Sequence, residues 1–268
     1  ETGTLIKDGI LKLEKTQAEE LSVEFPKSDW IISKVDQKPT TQNPYPPFIT
    51  STLQQEGIRK LRMSAQQVMR TAQHLYEEGY ITYMRTDSVS LSNEALAASR
   101  NTIEKLYGKE FLPDKPKLYK SKVKNAQEAH EAIRPAGSVF KPPQEIKSKL
   151  ENAEYKLYDM IWKRTLASQM KSAKLLKTNV EISDGKAMFD AHGKVIEFPG
   201  FLKVYVEDID DPNKERDDKE SILPPMQEGE SVTGKEFTPN QHFTKPSPRF
   251  TEATLVKELE ALGIGRPS

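Results

Sequence analysis

The fold class is decided by residues 150–176, LENAEYKLYDMIWKRTLASQMKSAKLL, and by the stretch that follows them. Apolar residues recur there at helical spacing, among them Leu157, Ile161 and Met170, which predicts a helix. From residue 178 the pattern changes to the short runs VEI, AMFD, KVIEF and FLKVYV, separated by turn dipeptides at 184–185, 192–193 and 199–200. The change from helix to an antiparallel β unit indicates an α+β protein.

Helical periodicity also runs upstream of this stretch. Ser64 is placed to cap a helix that ends at Gly79, and Ser92 is placed to cap a second helix that ends at Gly108. The other predicted elements are one or two strands over 21–38 broken at Pro26, an extended segment from Tyr80 to Arg85, a strand near 228–237 and a helix over 251–262.

These elements predict a multidomain α+β arrangement. A mainly helical domain, 43–168, is inserted into an antiparallel β domain formed by 1–42 and 169–240, and 241–268 begins a further helical domain that is truncated. Four prolines between positions 39 and 47 favour a stiff, extended connector, since proline fixes its own backbone and restricts the preceding residue. We expect a hinge between the domains at this connector.

The composition excludes several classes of protein. The 268 residues contain no cysteine, which excludes disulfide frameworks, thiolate catalysis and cysteine-based zinc sites within the chain. No apolar run is long enough to span a bilayer, and the N-terminus lacks the layout of a secretory signal. The formal net charge is zero, but 43–168 carries 20 basic and 14 acidic residues, so a polyanion is expected to bind there.

One candidate for chemistry is the segment 81–88, ITYMRTDS. In an extended segment alternate side chains share a face, so Tyr83 and Arg85 point the same way. A phenol near positive charge becomes a better nucleophile, and a guanidinium grips phosphate oxygens in a bidentate manner. The alternative is a half-buried strand tyrosine beside a surface cation.

A second candidate is the segment 127–135, QEAHEAIRP. It resembles the zinc pattern H-E-x-x-H, but Arg134 replaces the second histidine, which excludes a metalloprotease. In a helix, His130 and Arg134 share a face and both reach an anion; the alternative is a helix-end histidine with a solvated arginine. Two weaker candidates are the row Lys120, Lys122 and Lys124 for phosphate contact, and Asp208, Asp210 and Asp211, which fit a solvated loop better than a metal site.

Four blocks together carry a resemblance to a known family. They are PPFITSTLQQEGIRKL at 46–61, QHLYEEGYITYMRTDS at 73–88, AQEAHEAIRP at 126–135 and PRFTEATLVKELEALGIGRPS at 248–268. In this order they resemble the bacterial type IA DNA topoisomerases. That family's architecture, a helical domain with the tyrosine inserted into an arch-forming β domain, agrees with the predicted division.

The resemblance implies roles for individual residues. Tyr83 matches the tyrosine that attacks a single-stranded DNA phosphodiester, forms a 5′-phosphotyrosine and later reseals the strand without ATP. Arg85 matches the arginine that contacts the scissile phosphate, and His130 matches a histidine that contacts DNA phosphate. Arg134 lies in the same block and is assigned to phosphate binding. Arg249 and Arg266 fall in blocks of the family's DNA-binding domain.

The resemblance also implies what lies outside the chain. The family binds Mg²⁺ through an acidic Toprim domain that this sequence lacks, so no metal is expected in this piece. The expected partners are single-stranded and negatively supercoiled DNA and the rest of the same polypeptide, in the bacterial cytoplasm at the nucleoid. Alone, the chain is expected to bind single strands weakly and not to relax supercoils.

Three other functions compete with this interpretation. A non-catalytic single-strand binding module needs only basic and aromatic side chains. A tyrosine recombinase also uses Tyr, Arg and His, but places its tyrosine after the His-x-x-Arg motif, whereas Tyr83 precedes His130. An interaction scaffold leaves the four blocks unexplained.

Overall fold

The computed structural model describes residues 4–5, 11–120, 131–205, 224, 226–241, 243 and 246–264. The helices are α1 (Lys15–Glu24), α2 (Thr50–Leu61), α3 (Ala65–Glu77), α4 (Asn93–Tyr107), α5 (Pro143–Ile146), α6 (Asn152–Gln169) and α7 (Glu252–Ala261). Short 3₁₀ helices occupy Phe25–Lys27, Lys109–Phe111, Lys147–Lys149 and Gly200–Lys203. The strands are β1 (Thr4–Leu5), β2 (Leu11–Lys12), β3 (Trp30–Gln42), β4 (Ala173–Ser183), β5 (Met188–Phe198) and β6 (Ser231–Val232).

The chain divides into two compact units. Unit 1 comprises Glu1–Pro39, Leu176–Val195 and Glu220–Pro248, and unit 2 comprises Thr40–Leu175, Ile196–Lys219 and Arg249–Ser268. The chain passes from one unit to the other within β3, β4 and β5. The hinge expected at the proline-rich connector and the domain limits drawn from the sequence stay predictions.

The main sheet is antiparallel, with strand order β5-β4-β3-β6. β3 meets β6 at its start, where Trp30 pairs with Val232 and Ile31 with Ser231. One face of the unit 1 part is closed by four packed aromatic rings, Phe25, Trp30, Phe189 and Phe237, with centroids 5.1–5.6 Å apart. The indole of Trp30 donates to the carbonyl of Phe25 at 3.0 Å. A small unit thereby obtains its apolar core from large rings.

Unit 2 is built around α6. This helix packs against α2, α3, α4 and α5, and buries Leu157, Ile161 and Leu166 completely. Helices α2 and α3 approach each other closely at Gly57, which has no Cβ. A Cβ added there would lie 2.6 Å from a methyl of Val68. α7 packs on α2, the side-chain amide of Gln55 donating to the Glu260 carboxylate at 3.2 Å. The structure thus confirms a helical part combined with an antiparallel sheet.

Two of the sequence-predicted helices are confirmed at their caps. The Ser64 hydroxyl accepts from the amide of Gln67, and α3 is followed by Gly79 with φ +71°. The Ser92 hydroxyl accepts from the amide of Ala95, and α4 ends at a glycine, Gly108, with φ +102°. The strand near 228–237 and the last helix are also confirmed, as β6 and α7.

Other boundaries were predicted wrongly. Residues 21–24 belong to α1, not to a strand, because helix-forming residues upstream continue through them. The helix predicted over 150–176 ends at 169, and β4 begins at 173. The dipeptide 192–193 lies inside β5, where His192 is 3.0 Å from the amide oxygen of Asn179 on β4, so it is not a turn. The strand predicted from residue 201 begins instead as a 3₁₀ helix, Gly200–Lys203, that buries Phe201.

Candidate active site

The segment 81–86 exposes two of the candidate side chains, Tyr83 and Arg85. Ile81, Met84 and Thr86 are buried, whereas Tyr83 is 46% exposed and Arg85 is also exposed. The exposure of Tyr83 and Arg85 agrees with the prediction, but the segment is not a regular extended strand. Ile81, which strict alternation would place on the same face, is buried, the backbone bends at residues 80, 82 and 84, and within 80–85 only Ile81 forms a β-bridge, with Pro135. Burial of Met84 between them leaves the phenol and the guanidinium exposed.

A threonine holds the backbone just before Tyr83. The Thr82 hydroxyl donates to the carbonyl of Ala132 at 2.7 Å and accepts from the amide of Arg134 at 3.0 Å. The Thr82 amide donates to the carbonyl of Arg134 at 2.9 Å. These bonds tie the Tyr83 segment to residues 132–134, which lie about 50 positions along the chain.

A second threonine holds the backbone on both sides of Arg85. The Thr50 hydroxyl, in the first turn of α2, donates to the carbonyl of Met84 at 2.8 Å and accepts from the amide of Thr86 at 2.9 Å. The amide of Thr50 donates to the carbonyl of Thr86 at 3.0 Å. Sequence reasoning did not identify Thr82 or Thr50, since the hydrogen bonds of each hydroxyl join residues far apart in the chain.

The ring of Tyr83 is also contacted from α3. Tyr76, in the last turn of that helix, packs edge-on against Tyr83, with centroids 5.2 Å apart and planes at 69°. Such edge-to-face pairs are favourable because the positive edge of one ring meets the negative face of the other. The Tyr83 phenol is thus exposed yet has an aromatic support.

The structure gives Arg134 a buried position. Its Nε and Nη2 donate to the two carboxylate oxygens of Glu131, both at 2.9 Å, and its Nη1 donates to the carbonyls of Pro135 and Gly137 at 2.8 and 3.1 Å. The described residues from 131 to 135 are also not helical, so the shared helix face expected of His130 and Arg134 does not form there. This geometry favours a structural role for Arg134, and its assignment to phosphate binding stays a prediction.

Glu131 links this arginine to helix α4. Its carboxylate accepts from the amide of Ser92, the N-cap of α4, at 2.7 Å. Burial raises the pKa of Glu131, but the hydrogen bonds from Arg134 and Ser92 outweigh burial and hold the pKa below its usual value. The ionised carboxylate therefore fixes the segment that carries the Thr82 partners.

A second ion pair lies on the other side of α3. The Nδ1 of His74, in the last turn of α3, contacts the buried carboxylate of Glu154 on α6. The other oxygen of Glu154 accepts from the amide of Glu151 at 2.9 Å, which caps α6. The hydrogen bond to Glu154 raises the pKa of His74 above its usual value. This pair joins the helix that supports Tyr83 to the central helix of the unit.

Two other candidate residues lie within the described part of the chain. Arg249 is exposed, two positions before Thr251, the N-cap of α7. Lys120 is exposed, and the hydroxyl of its partly buried neighbour Tyr119 donates to the carbonyl of Ser168 at 2.8 Å, while burial raises the pKa of Tyr119 to about 12. The predictions that fall outside the described residues are those for His130, Arg266, Lys122, Lys124, Asp208, Asp210 and Asp211.

The described residues contain no group of three or more His, Cys, Asp or Glu side chains that could hold a metal ion. The expectation that no metal binds this piece stays a prediction. No helix in the described ranges is long and apolar enough to cross a membrane. What the site offers is an exposed phenol and an exposed guanidinium two residues apart, a pair suited to attack on a phosphate ester.

Comparison with known proteins gives a consistent result. The sequence profile of the DNA topoisomerase family matches residues 7–268. DNA topoisomerase 1 of Synechococcus elongatus is 51% identical over 256 residues, which cover 96% of this chain and 29% of that protein. DNA topoisomerase 1 of Streptomyces coelicolor is 50% identical over 271 residues, covering 99% of this chain and 28% of that protein.

A solved structure agrees with the sequence comparisons. The full-length topoisomerase I of Thermotoga maritima matches with a TM-score of 0.79 at 35% identity, over 98% of this chain and 42% of that one. The chain thus spans less than a third of the length of the two curated relatives that it matches.

Proposed function

This chain belongs to the DNA topoisomerase family, in its bacterial type IA group, and from that premise we propose that Tyr83 is the nucleophile that cleaves one DNA strand. The observation that carries the proposal is the exposure of Tyr83 and Arg85, two residues apart, on a segment held by two buried or half-buried threonine hydroxyls. A nucleophile that must meet phosphorus in a defined geometry benefits from such fixed placement.

The proposed step is a transesterification in both directions. The phenol oxygen of Tyr83 loses its proton and forms a bond to phosphorus, and the bond from phosphorus to the 3′ oxygen breaks. The 3′ oxygen leaves with a proton as a hydroxyl, and the DNA is held as a 5′-phosphotyrosine. Because one phosphoester replaces another, the reverse attack by the 3′-hydroxyl reseals the strand without ATP.

Arg85 has the role of an anion ligand in this step. Its exposed guanidinium, two residues from the phenol in sequence, donates to the non-bridging phosphate oxygens, whose charge builds up in the transition state. We assign no residue of this chain to Mg²⁺ binding in this step. The ion's place, by family resemblance, is a Toprim domain outside this stretch.

The substrate and setting follow from the same proposal. Single-stranded and negatively supercoiled DNA are the proposed partners, together with the rest of the polypeptide, in the bacterial cytoplasm. The excess of basic residues over 43–168 suits a polyanion. The chain alone, with Mg²⁺, is expected not to relax supercoiled DNA, and robust relaxation by it would contradict the proposed need for a Toprim part.

The test is covalent capture of single-stranded DNA labelled at its 3′ end. This chain is incubated with the label and Mg²⁺, with and without a Toprim-containing part of a bacterial topoisomerase I, and denatured. We expect a labelled adduct that requires the Toprim part and disappears in Tyr83→Phe. The matched control is Tyr76→Phe, which removes the neighbouring exposed hydroxyl and keeps the ring. An adduct that survives Tyr83→Phe and disappears in Tyr76→Phe would overturn the assignment.

A further inference from the structure

Helix α2 reaches the proposed site through one side chain. Thr50 is 5% exposed, and its hydroxyl is the group that meets the backbone on either side of Arg85. It donates to the Met84 carbonyl at 2.8 Å, with the Thr86 carbonyl also within 3.1 Å, and it accepts from the Thr86 amide at 2.9 Å. A hydroxyl can donate and accept at once, which a methyl group cannot do.

The helix that carries Thr50 is itself firmly held. A Cβ at Gly57 would lie 2.6 Å from a methyl of Val68 on α3, so the α2 backbone packs directly on that side chain. Leu53, one turn after Thr50, is completely buried. Helix α2 also packs against α6 and α7. Thr50 therefore projects from a fixed support, so that the position of the 84–86 backbone is set by the packing of unit 2.

We propose that Thr50 is a positioning residue for strand cleavage, which acts by fixing the backbone of Arg85 so that the guanidinium meets the scissile phosphate beside Tyr83. The proposal rests on the function proposed above for Tyr83 and Arg85. Met84 and Thr86 are drawn inward by the bonds to Thr50, and Arg85 between them is thereby directed to the outer face. Loss of the hydroxyl frees this backbone without removing any group that contacts DNA.

The variant that tests this is Thr50→Val, which keeps the branched shape and removes the hydroxyl; Thr50→Ser keeps the hydroxyl and is the conservative control. Both are combined with the Toprim-containing part and assayed well below their melting temperatures, on 3′-labelled single-stranded DNA at saturation. We expect Thr50→Val to slow adduct formation about tenfold or more, because small misplacements of a catalytic group reduce rates by that order. Its affinity for single-stranded DNA is expected to stay within about threefold, and the serine variant should react at nearly the parent rate.

A double-mutant cycle with Arg85→Ala separates positioning from general loosening. If Thr50 acts through the guanidinium, Thr50→Val has little further effect on the rate once Arg85 is alanine. An equal fold-reduction in both backgrounds would overturn the proposal, as would a normal rate in Thr50→Val or a slow rate in Thr50→Ser. If the unsubstituted protein forms no adduct that depends on Tyr83, the proposed function itself fails. A Tyr83-dependent adduct that is insensitive to Thr50→Val refutes only the role of Thr50.

Discussion

Replacing Arg134 by alanine separates two accounts of this residue, a buried structural tie and a DNA phosphate ligand. The guanidinium is 6% exposed and makes two bonds at 2.9 Å to Glu131, and two more to the carbonyls of Pro135 and Gly137. Removing one partner of a buried ion pair costs about 3–5 kcal/mol. The Glu131 side chain is 26% exposed and keeps its bond from Ser92, so we expect a loss of about 2–4 kcal/mol.

Two quantities are measured at pH 7. The first is the free energy of unfolding in urea, and the second is the affinity for single-stranded DNA at a urea concentration well below the unfolding transition. The Arg134→Ala variant is expected to lose stability as stated, with no change in affinity beyond that explained by unfolded protein. The control is Arg85→Ala, which removes an exposed guanidinium and should change the free energy of unfolding by less than about 1 kcal/mol. Parent-like unfolding of Arg134→Ala with weaker, less salt-dependent DNA binding would refute the structural account and support the phosphate-binding prediction.

The pH dependence of this difference gives an internal check. The pKa of Glu131 is held below its usual value in the folded protein, so the stabilisation is present above the unfolded pKa of about 4.3. It is lost as the pH falls through the folded pKa. The difference in stability between the parent and Arg134→Ala should therefore be constant near neutral pH and shrink in acid.

Three further predictions concern the packing of unit 2. The pKa of His74 is raised in the folded protein, so its pair with Glu154 stabilises the fold fully below about pH 6.5 and less as the pH rises through the folded pKa. His74→Gln should therefore lower the melting temperature more at pH 5.5 than at pH 8.5. An equal effect at both pH values would contradict this. Gly57→Ala should lower the free energy of unfolding in urea by about 1–3 kcal/mol, because the added methyl clashes with Val68. In the double variant Gly57→Ala, Val68→Ala the clash is partly relieved, so the total loss should be smaller than the sum of the two single losses. Additive losses would argue against the contact. Tyr119→Phe should cost about 1 kcal/mol, measured in the same way, because it leaves a main-chain carbonyl without its donor, and an unchanged midpoint would contradict that bond.

The parts of the fold that could be predicted from the sequence are those fixed by near neighbours. Ser64 and Ser92 cap their helices through amides three residues away, and a glycine with positive φ follows each helix. The exposure of Tyr83 and Arg85 on either side of buried Met84 was likewise predicted within one short segment, although Ile81 breaks the alternation. Each of these signals depends on backbone geometry over a few residues, which the local sequence records.

The failures have the opposite origin. The dipeptide at 192–193 resembles a turn, but pairing of β5 with β4 keeps it extended, and the sequence around it holds no record of its partner strand. Thr50 and Thr82 contact residues 34 to 52 positions away, so their role depends on how the helices pack. The burial of Arg134 was not anticipated either, because it is set by contacts that only the folded chain displays, and its phosphate-binding assignment stays a prediction.

The most direct test of the central claim is to locate the DNA linkage by mass spectrometry. The adduct formed with the Toprim-containing part is trimmed with nuclease and digested with trypsin, which releases residues 71–85 as one peptide with tyrosines at 76, 80 and 83. We predict a nucleotide 5′-phosphate on Tyr83 alone, in an adduct that retains a 3′-end label and loses a 5′-end label. A nucleotide on Tyr76 or Tyr80, or an adduct that retains the 5′-end label, would contradict the account.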